Sequence, residues 1–337
     1  MESGSYGDSV IRYFLQFLSH CKMKISGFTF MRNTAGLYYP FRESIQSVLP
    51  IVDEFIVALG QGDDGDATEA MLLEMHEPKI TLLKTEWDTS RFSGGTVYAQ
   101  QTDLAREACS GHWLLYLQSD EVIHEQYLNT ITNVCSQYLE DEHTEGFLFR
   151  YRHFWGDYRH CVVSHAWYPS EIRIIRNRPD IRSFADAQSF RAFTAFNGVN
   201  YRDLKNSRHL RVRRIPAEVY HYGWVRPPSM MKRKSVVMDG YYHNPEEVQR
   251  RHADKPEPFD YGNMCDYSLF EGTHPRVMEG FMQKFDWGNT LHFEPDYKPS
   301  RPSLKHERFK YRMLTAIEQK VLRGKQLFGY RNWKIIR

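Results

Sequence analysis

The sequence predicts an α/β fold with a mostly parallel central sheet and a helical, irregular C-terminal extension. Three observations carry this expectation. From residue 25 to about 139, short β-prone runs alternate with helical stretches, the rhythm of strands joined by crossover helices. After residue 145 the rhythm changes to aromatic-rich runs such as GFLFRYRHF, which suit an antiparallel or irregular closure over the sheet edge. Between 226 and 300 the motifs PP, HNP, KPEP, THP, EP and KPSRP recur, and such punctuation favours loops and short helices. The expected division is a core over 22–225 and an extension over 226–337 that ends in a basic tail.

The elements follow in order. Ile11, Phe14, Leu15 and Leu18 fall at helical spacing, so 10–18 is expected to be a short helix packed on the body, with membrane-surface contact as the rival use. A strand over 25–30 exits at Arg32-Asn33. Pro40 precedes a helix over 41–49 that stops near Pro50; proline is tolerated there because the first helical N–H groups have no intrahelical partner. FIVAL within 54–59 is a continuous apolar run, as expected of a strand covered on both faces. GQGDDGD over 60–66 is a loop, since glycine permits unusual dihedrals and Asp bonds local backbone. Then come a helix over 67–75, a strand over 80–83, a helix over 96–108 and the strand WLLYL over 113–117. That strand exits through Gln118-Ser119-Asp120-Glu121. A helix is expected over 127–139, strands over 146–154, 171–175 and 219–224, and helices over 231–242 and 313–322.

The 337 residues are 41% hydrophobic, 15% aromatic and 26% charged, a globular composition rather than a disordered one. Five cysteines are widely spaced with no CxxC, which disfavours a disulfide scaffold, structural zinc or a redox motif and suits a reduced, cytoplasmic protein. No run approaches 18 apolar residues, so no membrane span is expected. The net charge of +2 hides an asymmetry. The last 37 residues hold eleven Lys or Arg and two Glu, about +9, leaving about −7 elsewhere. Such a tail is a solvated face, a contact for acidic lipid or a contact for nucleic acid. Peripheral membrane contact is carried forward from these, and no nucleic-acid partner is expected.

In a parallel sheet, ligands bind beyond the carboxyl ends of the strands. Asn33, the GQGDDGD loop and Asp120 all follow expected strands and so can gather at one edge. A carboxylate such as Asp120 can hold a hard divalent cation whose remaining positions go to water and phosphate. Asp63 and Asp66 could accept bonds from a sugar or base, or Asp66 could cap the next helix. Arg32 and Arg106 could offset phosphate charge. Neither GxGxxG after the first strand, nor GxxxxGK[ST], GxSxG or HExxH occurs, which disfavours a dinucleotide fold, a P-loop, a serine hydrolase and a zinc protease.

From Phe28 to about His124 the chain resembles glycosyltransferase family 2, which has the GT-A fold. The residues that carry the likeness are Phe30-Met31-Arg32-Asn33, Asp53-Glu54-Phe55-Ile56-Val57, Asp63-Asp64-Gly65-Asp66-Ala67-Thr68 and the run from Gly111 to Glu121. The run from Gly111 to Glu121 resembles most clearly members acting in lipopolysaccharide core or capsule synthesis, whose motif ends in Asp-Glu. Gln118 stands where the family's Asp-x-Asp motif begins, and neither Ala58 nor Gly60 supplies the acid often found near the nucleobase.

The resemblance implies a GT-A-like nucleotide-diphospho-sugar transferase fold and inverting transfer from a nucleotide-diphosphate sugar to a glycan or lipid-linked acceptor, in the cytoplasm at the inner face of the membrane. It implies Mn²⁺ or Mg²⁺ held by Asp120 and His221, with Asn33, Asp63, Asp66, Arg106, Gln118 and Ser119 on the donor. Asp186 is the first choice for the general base, with Asp203 and Glu218 as alternatives. Trp155, Trp167 and Trp224 offer faces for an acceptor sugar. Two rivals stay open: a sugar-phosphate nucleotidyltransferase, and a non-catalytic carbohydrate-binding protein on a decayed transferase fold, which Gln118 motivates.

Overall fold

The computed structural model describes residues 23–253, 255–329 and 331–337. The helix expected over 10–18, with Cys21, lies outside the described residues.

The N-terminal half is a parallel α/β layer. Strands β1 (Ile25–Met31), β2 (Glu54–Gly60), β3 (Ile80–Thr85) and β4 (Trp113–Tyr116) lie in the order β3-β2-β1-β4, all parallel. Helices α1 (Phe41–Gln46), α2 (Thr68–Leu73) and α3 (Thr96–Glu107) connect them. Side chains alternate between the faces of a strand, and both faces here are covered. Phe55, Val57 and Leu59 join Phe41 and Ile45 in one core, while Ile56 and Ala58 join Phe28 and Val97 in another. The unbroken apolar run of β2 follows from this double burial.

The second half is mixed. It contains β5 (Glu121–Ile123), α4 (Leu128–Gln137), β6 (Gly146–Trp155), β7 (His160–Val162), β8 (Ser170–Arg176), β9 (Ile181–Phe184), β10 (Ser189–Phe193) and β11 (Ser207–Trp224). Strand β8 runs antiparallel between β4 and β6, β11 lies parallel to β6, and β10 and β9 end the path. The parallel centre and α/β class are those expected.

Two features differ from expectation. The β9–β10 hairpin lies where no strand was expected. Strand β11 is far longer than 219–224; its first half, rich in arginine and carrying Pro216, does not read as a strand. A register shift between Arg214 and Glu218 accommodates that proline, as a bulge does.

After residue 225 the chain forms α5 (Pro228–Asp239), α6 (Pro245–His252), β12 (Ser268–Leu269), α7 (Glu279–Met282), α8 (Phe309–Lys320) and β13 (Trp333–Ile335), joined by loops. Helix α6 opens with Pro245 in its first turn and Asn244 Oδ1 accepting from the Glu247 N–H at 2.9 Å, a cap of the usual kind. This part is tied to the sheet by a shared core and by two strand pairs, one of them β12 antiparallel to β7. Met231, Met264, Phe281 and Trp287 share a core with Phe154, Tyr220 and Tyr222, and β13 pairs in parallel with β11. No described helix is long and apolar enough to cross a membrane.

Candidate functional site

The carboxyl ends of β1 and β4, the β9–β10 turn, the end of β11 and α5 surround a cavity of about 910 Å³. Gln118, Ser119 and Asp120 reach it because β4 ends at Tyr116 and the chain turns there into β5.

Asp120 is buried, at 6% exposure. Lys234 on α5 donates to Asp120 Oδ2 at 3.3 Å and to the Gly223 carbonyl at 2.8 Å. Burial is the largest influence on the Asp120 carboxyl and works against its charged form, but Lys234 and the other groups around it together outweigh burial, and the pKa falls below its ordinary value. Burial, then Arg226, pushes Lys234 down to about 7. His221 Nε2 lies 3.7 Å from Asp120 Oδ2. Gly223 permits this approach: a Cβ there would stand 2.6 Å from both the Asp120 oxygen and His221 Nε2.

A second histidine sets the tautomer of the first. His153 Nε2 lies 2.8 Å from the Tyr168 carbonyl, which can only accept, so this nitrogen carries the proton. Burial lowers the His153 pKa to about 3 and that of His221 to about 4, so both rings are neutral near pH 7. His153 Nδ1 therefore accepts from His221 Nδ1–H, 3.0 Å away. The His221 Nε2 lone pair is left facing the Asp120 carboxylate. Two electron-rich atoms 3.7 Å apart suit a cation between them, and a ligating histidine held by its other nitrogen is the usual arrangement. Among the described residues no three His, Cys, Asp or Glu side chains form a complete metal cluster. The pair thus fits an open site, with the remaining positions left to water and ligand oxygens.

Glu121 is not part of this pair. Its oxygens accept from Arg173 Nε and Nη2, each at 2.8 Å, and from the Tyr151 hydroxyl at 2.7 Å. Both side chains of the ion pair are within 1% of full burial. Glu121 holds β5 and β8 together beneath the cavity.

Asp186 lies at the tip of the β9–β10 turn and lines the cavity. Its neighbours Ala185 and Ala187 have φ of 57° and 62°. Left-handed backbone is costly for alanine, and such strain concentrates at functional sites. Tyr242 donates to Asp186 Oδ2 at 3.2 Å. Gln188, in the same turn, donates to Glu171 at 3.0 Å, and burial raises the Glu171 pKa to about 8. Its folded pKa exceeds the unfolded one, so its contribution to stability is full below about 4.5 and is lost as pH rises through about 8. Glu171→Gln should therefore gain melting temperature over the wild type as pH rises from 5 to 8, by several degrees at the upper end. A pH-independent difference in calorimetric scans would contradict this.

The remaining expected residues separate. Trp167 and Trp224 line the cavity. Trp155 does not; it is fully buried, stacks on Trp224 at 4.9 Å between centroids and donates to the Tyr261 carbonyl. Asn33 and Asp63 clasp each other beside the cavity: Asn33 Nδ2 donates to Asp63 at 2.9 Å and the Asp63 N–H returns a bond at 2.8 Å. Arg32, which lines the cavity, pairs with Asp63 at 3.0 Å. Asp66 Oδ1 accepts from Thr68 N and Oγ1 and is occupied at the start of α2.

Arg106 is a correction: it is buried, pairs with Asp103 and Glu107 and does not line the cavity. Asp203 and Glu218 are also corrections. Asp203 folds back on the Lys205 and Asn206 N–H groups in a turn, Glu218 is held by Arg152, and neither lines the cavity.

Sequence reasoning missed Lys234, His153 and the ring cluster of Trp87, Tyr98 and Tyr241 on the cavity wall. The cationic run Lys232-Arg233-Lys234 inside an expected helix was the available signal for the first. His153 had none, since its role depends on β6 pairing with β11 at His221.

No family model matches the chain, and no curated protein matches it. Among solved structures it is similar to S. aureus TarS, at 15% identity and a TM-score of 0.36 over 69% of this chain and 42% of that one. It is also similar to glucosyl-3-phosphoglycerate synthase from Mycobacterium tuberculosis, a complex with Mn²⁺, UDP and glucosyl-3-phosphoglycerate, at 15% and 0.27 over 46% and 51%. A third is the mannosyltransferase PcManGT from Pyrobaculum calidifontis with GDP-Man and Mn²⁺, at 14% and 0.28 over 42% and 43%. The chain thus spans about half or less of the length of these three.

Proposed function

We propose that this chain is a GT-A-like, inverting glycosyltransferase that moves a sugar from a nucleotide-diphosphate donor to a glycan or lipid-linked acceptor. The observation that carries the reading is one cavity at the carboxyl edge of a parallel sheet that holds Asp120, His221 and Lys234 together with Asp186. The sequence resemblance adds the acceptor class, an intermediate of lipopolysaccharide or other surface polysaccharide synthesis. It also adds the place, the cytoplasmic face of a membrane met peripherally through the basic tail.

Asp120 Oδ2 and His221 Nε2 would hold Mn²⁺ or Mg²⁺, which when bound supplies positive charge to the departing diphosphate. Lys234 and Arg32 add cationic charge to the same cavity and favour the diphosphate electrostatically. Trp87, Tyr98 and Tyr241 offer ring faces for the nucleobase, and Trp167 and Trp224 for the acceptor sugar. Asp186 takes the proton of the acceptor hydroxyl as that oxygen bonds the anomeric carbon. The bond from that carbon to the diphosphate breaks, its electron pair leaves with the diphosphate, and the configuration inverts.

Calorimetric titration with UDP-glucose and GDP-mannose, with and without Mn²⁺, tests the reading. At least one donor is expected to bind, more tightly with the ion, and Asp120→Asn to weaken that binding roughly 10–100-fold. Failure of any nucleotide sugar or diphosphate to bind would remove the proposal. Unchanged affinity in Asp120→Asn would remove the metal assignment.

A further inference from the structure

Helix α8 turns an apolar stripe outward. Phe309, Met313, Ile317 and Val321 follow one another every fourth residue and are 80%, 48%, 37% and 70% exposed. That spacing places them along one helix face. Just beyond, Phe328 is 97% exposed. The orientation is set from the other side of the helix. Glu318 is buried at 3% and accepts from His165 Nδ1–H at 2.6 Å and from the Leu327 N–H at 2.7 Å. The Thr315 hydroxyl accepts from the His165 N–H at 2.9 Å. Rotating the stripe inward would break all three bonds, so it is not an undocked core face.

The charges around the stripe are one-sided. Lys310, Arg312, Lys320, Arg323 and Lys325 are exposed, and none has an ion pair among the described residues. Both acids of the tail are turned inward, Glu307 against Arg301 at 2.7 Å and Glu318 against His165. An outward apolar ridge flanked by cations, with both acids of the tail paired inward, matches an anionic bilayer: the rings enter the acyl boundary and the cations meet the headgroups.

We propose that this face of α8, with Phe328, docks on an anionic lipid surface. The inference deepens the peripheral contact named above and rests on that part of the reading, not on the transfer chemistry. It has a consequence for access. Lys305 and Arg308, just before α8, line the cavity, so docking brings the cavity close to the bilayer and to a lipid-linked acceptor.

The test is co-sedimentation of the full chain with phosphatidylglycerol-containing and with pure phosphatidylcholine vesicles, at low and high salt. Removing 301–337 is unsuitable because Glu318 and β13 are built into the body. The substitutions Phe309→Ser and Val321→Ser, singly and together, leave those contacts alone. The wild type is expected to bind the anionic vesicles, to release them as salt rises, and to bind pure phosphatidylcholine weakly. The double substitution is expected to weaken anionic binding about tenfold or more with an unchanged melting temperature. Equal vesicle binding by the double variant, or equal binding to both lipids, would overturn the proposal. So would a stripe-dependent dimer in sedimentation equilibrium without lipid binding. A parallel titration with UDP and Mn²⁺ keeps the two readings apart: vesicle binding without nucleotide binding leaves the docking face standing and removes the transferase.

Discussion

Asp186→Asn is expected to slow single-turnover sugar transfer by roughly 10²–10⁴-fold, the usual contribution of a positioned general base. Donor affinity should stay close to wild type. The amide is nearly isosteric and can still accept from Tyr242, the group that bonds this carboxylate, so the strained turn between Ala185 and Ala187 should persist. Asp203→Asn provides the contrast, because that carboxylate sits in a turn outside the cavity; transfer should be essentially unchanged. Rapid-quench rates beside calorimetric donor titration separate chemistry from binding. Full transfer by Asp186→Asn would remove the base assignment, whereas loss of donor affinity with no change in the chemical step would place Asp186 in donor binding.

Glu121→Gln is expected to lower unfolding free energy by about 3–5 kcal/mol, the range for removing one partner of a buried ion pair. The cost arises from Arg173, left charged and uncompensated with both side chains essentially inaccessible. Replacing both residues, as Glu121→Leu with Arg173→Met, should cost much less than the two single changes added together, because no orphan charge remains. Urea unfolding of the wild type, Glu121→Leu, Arg173→Met and the double variant measures the coupling. Donor titration of folded Glu121→Gln with Mn²⁺ should match wild type. A stable Glu121→Gln protein with lost ion-dependent donor binding would instead make Glu121 part of the cation site.

That pair shows where reading residues in order stops. Asp120 and Glu121 are adjacent, yet β5 turns one into the cavity and the other into the protein beneath it. The partner that makes the difference, Arg173, is 52 residues away. The carboxylate following WLLYL was legible at the edge because a fully covered parallel strand advertises itself as an apolar run and ligands gather beyond its end. Asp186, proposed above as the base, was suggested by the sequence only as a distance along the chain. The β9–β10 hairpin that holds it carries Arg182 and Arg191 among its apolar residues, so its alternation is masked. Trp155 shows the converse: three tryptophans were expected to offer faces to a sugar, but Trp155 packs behind Trp224.

The local pattern of residues was enough to establish the alternation of strands and helices, the parallel centre and the strand-end position of Asp120, because each follows from short-range periodicity and from burial on both faces. The charge of the tail was equally plain from composition. Tertiary pairing alone decided which polar groups meet. His153 orients His221 only because β6 and β11 lie side by side in one register. Lys234 reaches Asp120 across 114 residues only because α5 folds back over the sheet edge. The outward turn of Phe309 and Val321 follows from Glu318 docking on His165. These contacts are set by which apolar surfaces share a core, a property of the whole chain that no short window of sequence contains.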